Sequence, residues 1–163
     1  MTEHAATSTP TTGLVAKVLT VSDGVVAGTR DDRSGAVLVE RLVAAGFEVV
    51  EHRVSADGRE NVGEALVEMA ADFNGLIIST GGTGFGPRDL TPEGTVVILD
   101  REAPGLAEAM RAVNPLGRLS RGLAGTRGTA LIINTPGSPG GALESLDAVI
   151  DVIPHAIRLL AGG

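Results

Sequence analysis

The chain has no cysteine, tryptophan or tyrosine, and only three phenylalanines. Without cysteine it has no disulfides, thiolate metal sites or thiol nucleophiles, a composition that fits a reducing compartment. Almost no aromatic rings means no stacking platform for single-stranded nucleic acid. Basic residues are also few, 13 Lys and Arg against 20 Asp and Glu, for a net charge of −7. A surface this acidic repels nucleic acid and anionic membranes, so neither is expected as a partner. No apolar run approaches the ~20 residues needed to span a bilayer. Residues 1–13, rich in Thr, Ser and Ala, lack the apolar centre of a signal peptide and are read as a disordered tail on a cytoplasmic protein. His4, His52 and His155 form no metal-ligand pattern.

What is present begins with alternation. Residues 15–21 are apolar and β-branched, a buried first strand. Residues 34–46 place Leu38, Val39, Leu42 and Val43 on one helical face and end at Gly46. A second strand spans 47–54. A helix with Val62, Ala65, Leu66, Met69, Ala70 and Phe73 in 3,4 spacing follows, and Leu76-Ile77-Ile78 centres a third strand. Helix is expected over 92–100 and again over 106–113, separated by a break at Pro104-Gly105. Residues 115–128 are expected to be irregular with one short strand. Residues 129–135 form another buried strand, and a final helical region is expected to break or kink at Pro154. Strands alternating with helices at this length indicate one domain, residues 14–163, with a three-layer α/β/α fold and a mostly parallel, mixed central sheet.

In such a fold ligands bind beyond the carboxyl ends of the strands. The most informative loops sit there: Ser22-Asp23-Gly24, Ala56-Asp57-Gly58, Gly81-Gly82-Thr83-Gly84-Phe85-Gly86-Pro87-Arg88-Asp89, and Pro136-Gly137-Ser138-Pro139. The glycines of the third loop let backbone N–H groups approach an anion, and the helix that follows presents its positive end. Arg88 adds a cation that seeks phosphate, and Asp89 a carboxylate that suits a divalent metal. The loop is neither a P-loop nor a dinucleotide fingerprint, because no Lys-Ser or Lys-Thr follows the glycines and the spacing differs. Asp57 and Asp89 also suit helix caps. Arg88 also suits a surface ion pair, the serines suit turns, and Phe85 suits either ring stacking or packing.

Together, Thr20-Val21-Ser22-Asp23, Gly81-Gly82-Thr83-Gly84, Pro87-Arg88-Asp89-Leu90-Thr91-Pro92-Glu93 and Pro136-Gly137-Ser138-Pro139 resemble the molybdopterin adenylyltransferase family, the MogA/MoaB-like proteins related to the G domain of gephyrin. The resemblance runs from about residue 15 to the end. It implies Mg-ATP-dependent adenylylation of molybdopterin with release of pyrophosphate, and a homotrimer, with hexamers also known in the family. It also implies a molybdenum-insertion protein as the partner that takes the product. It makes Asp57 and Asp89 the catalytic carboxylates and the Mg²⁺ site. The binding residues it implies are Ser22, Asp23, Ser34, Gly81, Gly82, Thr83, Gly84, Arg88, Glu102, Ser120, Arg121, Pro136, Gly137 and Ser138. Arg88 or Arg121 would clamp phosphate charge. The chain departs from the pattern at Thr135, where Leu is common, and at Ala56, where Pro or Asp is frequent. Two other expectations stand beside the enzyme: a binding module for molybdopterin without turnover, and a nucleotide pyrophosphatase like domains of competence-inducible proteins.

Overall fold

The computed structural model describes residues 13–163; the rest of the expected tail lies outside the described residues. Six strands form one sheet in the order β2-β1-β3-β6-β5-β4. β1 (Val15–Val21), β2 (Glu48–Ser55), β3 (Gly75–Thr80) and β6 (Ala130–Thr135) run parallel. β5 (Ala124–Arg127) is antiparallel to β6, and the two-residue β4 (Arg101–Glu102) is antiparallel to β5. The sheet is mixed and mostly parallel, as the alternation of elements requires.

β3 and β6 are buried at every position, which is why they read as continuous apolar runs rather than alternations. Their side chains still divide by pleat. Leu76, Ile78, Leu131 and Ile133 join Ala16, Val18, Leu38, Leu42 and Leu146 on one face. Ile77 and Ile132 join Leu19, Val62, Leu66 and Met69 on the other. The first face is covered by α2 (Arg33–Ala44), α5 (Pro104–Ala112), α6 (Pro139–Val149) and α7 (Ile153–Leu160), and the second by α3 (Arg59–Ala70) with α4 (Thr91–Val96) beside it. Leu146 is fully buried, and Leu146→Ala is expected to lower unfolding free energy by about 2–5 kcal/mol in chemical denaturation, through lost burial plus the cavity left behind.

Several boundaries differ from the sequence expectation for local reasons. The first-turn cap of α2 is Asp32, which accepts from Gly35 N, so the helix opens before Ser34. Val43 is 57% exposed and lies off the buried stripe. Pro104 does not break the chain; it occupies the first turn of α5, where no N–H is needed. Pro154 likewise sits in the first turn of α7, so of the expected break or kink the structure shows the break, and the region is two helices. α4 stops at Val96 because the following residues turn into β4. A short α1 (Asp23–Val26) and a 3-10 turn at Pro115–Leu119 complete the chain.

The centre of the sheet is pinned by a buried amide. Asn134 on β6 donates to Ser79 Oγ (3.0 Å) on β3 and to Thr95 Oγ1 (3.2 Å) on α4, and its Oδ1 accepts from Leu123 N (3.0 Å). The two edges are blunt: β2 bulges at Val50, between the pairs Ala16–Val49 and Lys17–Glu51, and carries charged side chains.

Candidate active site

From β1 the chain crosses one face to β2, then returns across the other face to β3 on the far side of β1. The loops at the carboxyl ends of β1 and β3 therefore diverge and leave a crevice. It widens into a cleft of about 1070 Å³, lined by the ends of β1, β3 and β6 and by the first turns of α2 and α6.

The glycine loop is its floor. Gly81 and Gly82 have φ of 105° and 70°, conformations that a side chain resists. A Cβ at Gly81 would strike the Val21 carbonyl, and one at Gly82 would strike the Thr91 hydroxyl. The loop is held from three sides. Gly81 N donates to Thr135 O (3.0 Å), and Thr91 donates through Oγ1 to Gly81 O (2.9 Å) and through N to Gly82 O (3.0 Å). Arg121 N donates to Thr83 O (2.9 Å). The Arg121 side chain adds bonds to Gly84 O (3.0 Å), Asp89 O (2.6 Å) and Glu93 Oε2 (2.6 Å).

Two carboxylates face this floor. Asp57 and Asp23 exchange bonds, Asp23 N donating to Asp57 Oδ2 (2.9 Å) and Asp57 N to Asp23 Oδ1 (3.0 Å). Asp89 Oδ2 accepts from Gly86 N (2.9 Å) within its own loop. Neither is a helix cap: α3 and α4 start without a side-chain cap bond. Their shapes are set by loop contacts, and Oδ1 of each has no donor among the described residues. The glycines leave room for whatever those oxygens bind. A Cβ on Gly82 would come within 3.3 Å of Asp57 Oδ1, and one on Gly86 within 3.8 Å of Asp89 Oδ1.

The electrostatics separate the two partners. Burial holds the Asp57 carboxyl above the usual carboxylate range, and the negative charges of Asp23 and Asp89 push the same way, against the Asp23 N–H. The Arg88 guanidinium, bonded to Asp23 through Nε (2.6 Å) and Nη2 (3.2 Å), holds Asp23 below that range. Arg88 also donates to Asp57 O (2.8 Å), tying the β1 and β2 loops together.

Of the residues singled out in the sequence, Ser22, Ser34, Asp57, Gly81, Gly82, Thr83, Gly84, Asp89, Ser120, Pro136, Gly137 and Ser138 line the cleft. Asp23 stands behind Asp57. Arg88 and Arg121 are outside the lining and are satisfied by Asp23 and Glu93. They brace the site, and their charge is not turned on the cleft. Ser138 Oγ caps α6 by accepting from Gly141 N (3.1 Å). Glu102 is exposed on the edge strand β4, away from the cleft lining. Phe85 is 72% exposed and packs against no core.

Sequence reasoning missed a cluster on the cleft's α2 side. Asp32 Oδ2 lies 2.9 Å from His52 Nε2 and accepts from Thr20 Oγ1 at 2.8 Å. His52 is thus a satisfied side chain. The apolar wall of Met110, Val113, Leu116 and Leu119 was also unannounced, since α5 and the 3-10 turn reach the cleft only through the fold.

Residues 17–155 match the family model described as "Probable molybdopterin binding domain". The chain belongs to this family. It is 36% identical over 152 residues to the molybdopterin adenylyltransferase of Helicobacter pylori strain J99, covering 89% of this chain and 86% of that one. With the molybdopterin adenylyltransferase of Escherichia coli K12 it shares 33% identity over 165 residues, covering 89% and 84%. Among solved structures, the molybdopterin biosynthesis enzyme MoaB of Thermus thermophilus superposes with a TM-score of 0.86 at 45% identity, covering 92% of this chain and 98% of that one. The molybdopterin-binding family fold is therefore shared from the first strand to the last helix. Among the described residues no helix is long and apolar enough to cross a membrane.

Proposed function

We propose that this chain is a molybdopterin adenylyltransferase of molybdenum cofactor biosynthesis. It joins the terminal phosphate of molybdopterin to the AMP part of ATP and releases pyrophosphate. The observation that carries the reading is the pair Asp57 and Asp89, each with an oxygen free of protein donors among the described residues, set against a glycine floor in a cleft large enough for two ligands.

The acceptor phosphate is already ionised near neutral pH, so the reaction needs no strong general base. A phosphate oxygen of molybdopterin forms a bond to the α-phosphorus of ATP as the bond from that phosphorus to the β-phosphate oxygen breaks. The chain's task is to align two polyanions. Among the described residues no three His, Asp or Glu side chains gather into a metal cage. Two carboxylates with room beside them suit Mg²⁺, which takes one or two carboxylates and completes its shell with phosphate oxygens and water. Asp57 and Asp89 would hold it, and when bound it supplies positive charge against the phosphates. Gly81 N is taken by Thr135 O, so the backbone N–H groups of Gly82, Thr83 and Gly84 would cradle the phosphates, with Ser120, Gly137 and Ser138 on the same cleft lining.

By the same family reading the enzyme is cytoplasmic, assembles as a homotrimer and passes its product to a molybdenum-insertion protein. The test is to incubate the purified protein anaerobically with molybdopterin, ATP and Mg²⁺ and to follow adenylylated pterin and pyrophosphate, with Asp89→Asn in parallel. Product from the wild type and almost none from the variant is expected. Tight molybdopterin binding without product would leave a binding module instead.

A further inference from the structure

We propose that Arg30, between α1 and α2, and Arg33, the first residue of α2, bind the β- and γ-phosphates of the nucleotide and remain with pyrophosphate as it leaves. The proposal rests on the functional reading above and concerns residues outside the motifs that carry the family resemblance.

The argument begins with charge. Five acids, Asp31, Asp32, Asp57, Asp89 and Glu144, line the cleft, and among the described residues the only cations on its lining are Arg30 and Arg33. The arginines that sequence reasoning favoured, Arg88 and Arg121, are bonded to Asp23 and Glu93. A triphosphate entering a cleft with this balance is repelled everywhere except where uncompensated cations stand. Arg30 and Arg33 make no ion pair with a described residue, and both are exposed at the rim.

Position agrees with charge. The side chain of Arg30 crosses Gly24, whose Cβ would lie 3.2 Å from Arg30 Cβ and 3.5 Å from its Cδ. Gly24 adjoins Asp23, whose N–H holds Asp57. The cation therefore borders the loop that presents Asp57, where a phosphate tail would lie once its α-phosphorus is near Asp57 and Asp89. Arg33 opens α2. Asp32, the acid beside it, is drawn to His52, Thr20 and Gly35 N. Ser34 lines the cleft at 8% exposure, and its hydroxyl makes no hydrogen bond to a described residue. A buried hydroxyl in that state needs a partner, and a phosphate oxygen held by the two guanidinium groups supplies one.

The experiment is calorimetric titration of the full chain with ATP, AMP and pyrophosphate, each with Mg²⁺. In Arg30→Gln/Arg33→Gln, ATP and pyrophosphate affinities are expected to fall about 10- to 100-fold, the loss of charge-assisted hydrogen bonds, with AMP affinity unchanged. Arg30→Lys/Arg33→Lys should recover part of the loss, because charge returns without the planar fork. Wild-type ATP affinity in the glutamine variant would overturn the assignment, as would equal losses for ATP and AMP. A wild type that binds molybdopterin but no nucleotide would overturn the functional reading, and this assignment with it.

Discussion

Asp57→Asn is expected to remove activity and raise stability at the same time. Adenylylation should fall about 100- to 1,000-fold, the scale for losing one charged group aimed at a reacting centre. Thermal unfolding at neutral pH should nevertheless shift to higher temperature. Burial raises the Asp57 carboxyl, aided by the negative charges of Asp23 and Asp89. Such a group contributes stability fully below its unfolded value and loses that contribution as pH rises through its higher folded value. At neutral pH the ionised Asp57 is therefore a cost to the fold, and the isosteric amide removes it while still accepting from Asp23 N. The gain should shrink as pH falls through the carboxylate range, where the wild-type side chain is protonated as well. Melting curves of both proteins across that range, with rates measured in parallel, check it. A variant that melts lower at neutral pH would show that Asp57 is held for structure.

Arg121→Ala is expected to be the most damaging change outside the cleft lining. The side chain holds the Gly84 and Asp89 carbonyls and pairs with Glu93. Its removal should cost about 2 kcal/mol, most of it from the two carbonyls, since the partly exposed ion pair is screened by solvent. The rate should fall about 100-fold, because an ångström of drift in the glycine loop misplaces the phosphates. Lysine should not rescue it, since one ammonium cannot span three acceptors in a plane. Denaturation midpoints and steady-state rates for the two variants decide this. Rescue by lysine would mean that Arg121 acts by charge alone.

The division between what the sequence reveals and what it hides follows from range. β3 and β6 are legible because strands buried on both faces are uniformly apolar. The glycine loop with Asp89, and Asp57 after β2, are legible because their chemistry is contiguous or sits beside a strand end. α1 and β4, at four and two residues, are too short for any period to register. Pro104 reads equally as a break or a helix start, and only the packing of α5 decides. The contact of Asp32 with Thr20 and His52 gathers three segments, none distinctive alone. Arg88 and Arg121 look like free cations until the fold brings Asp23 and Glu93 to them. Arg30 and Arg33 attract no notice until those two are occupied.

The blunt edges of the sheet bear on how this domain tolerates change. A bulge and charged side chains interrupt β2, and β4 is too brief to serve as a template, so neither border offers a continuous row of unpaired amides to another chain. Insertions and deletions in the cleft loops that leave from the carboxyl ends of the interior strands β1, β3 and β6 can thus be sampled without opening a path to fibrous assembly. The scaffold can vary its chemistry at one end while its borders stay inert.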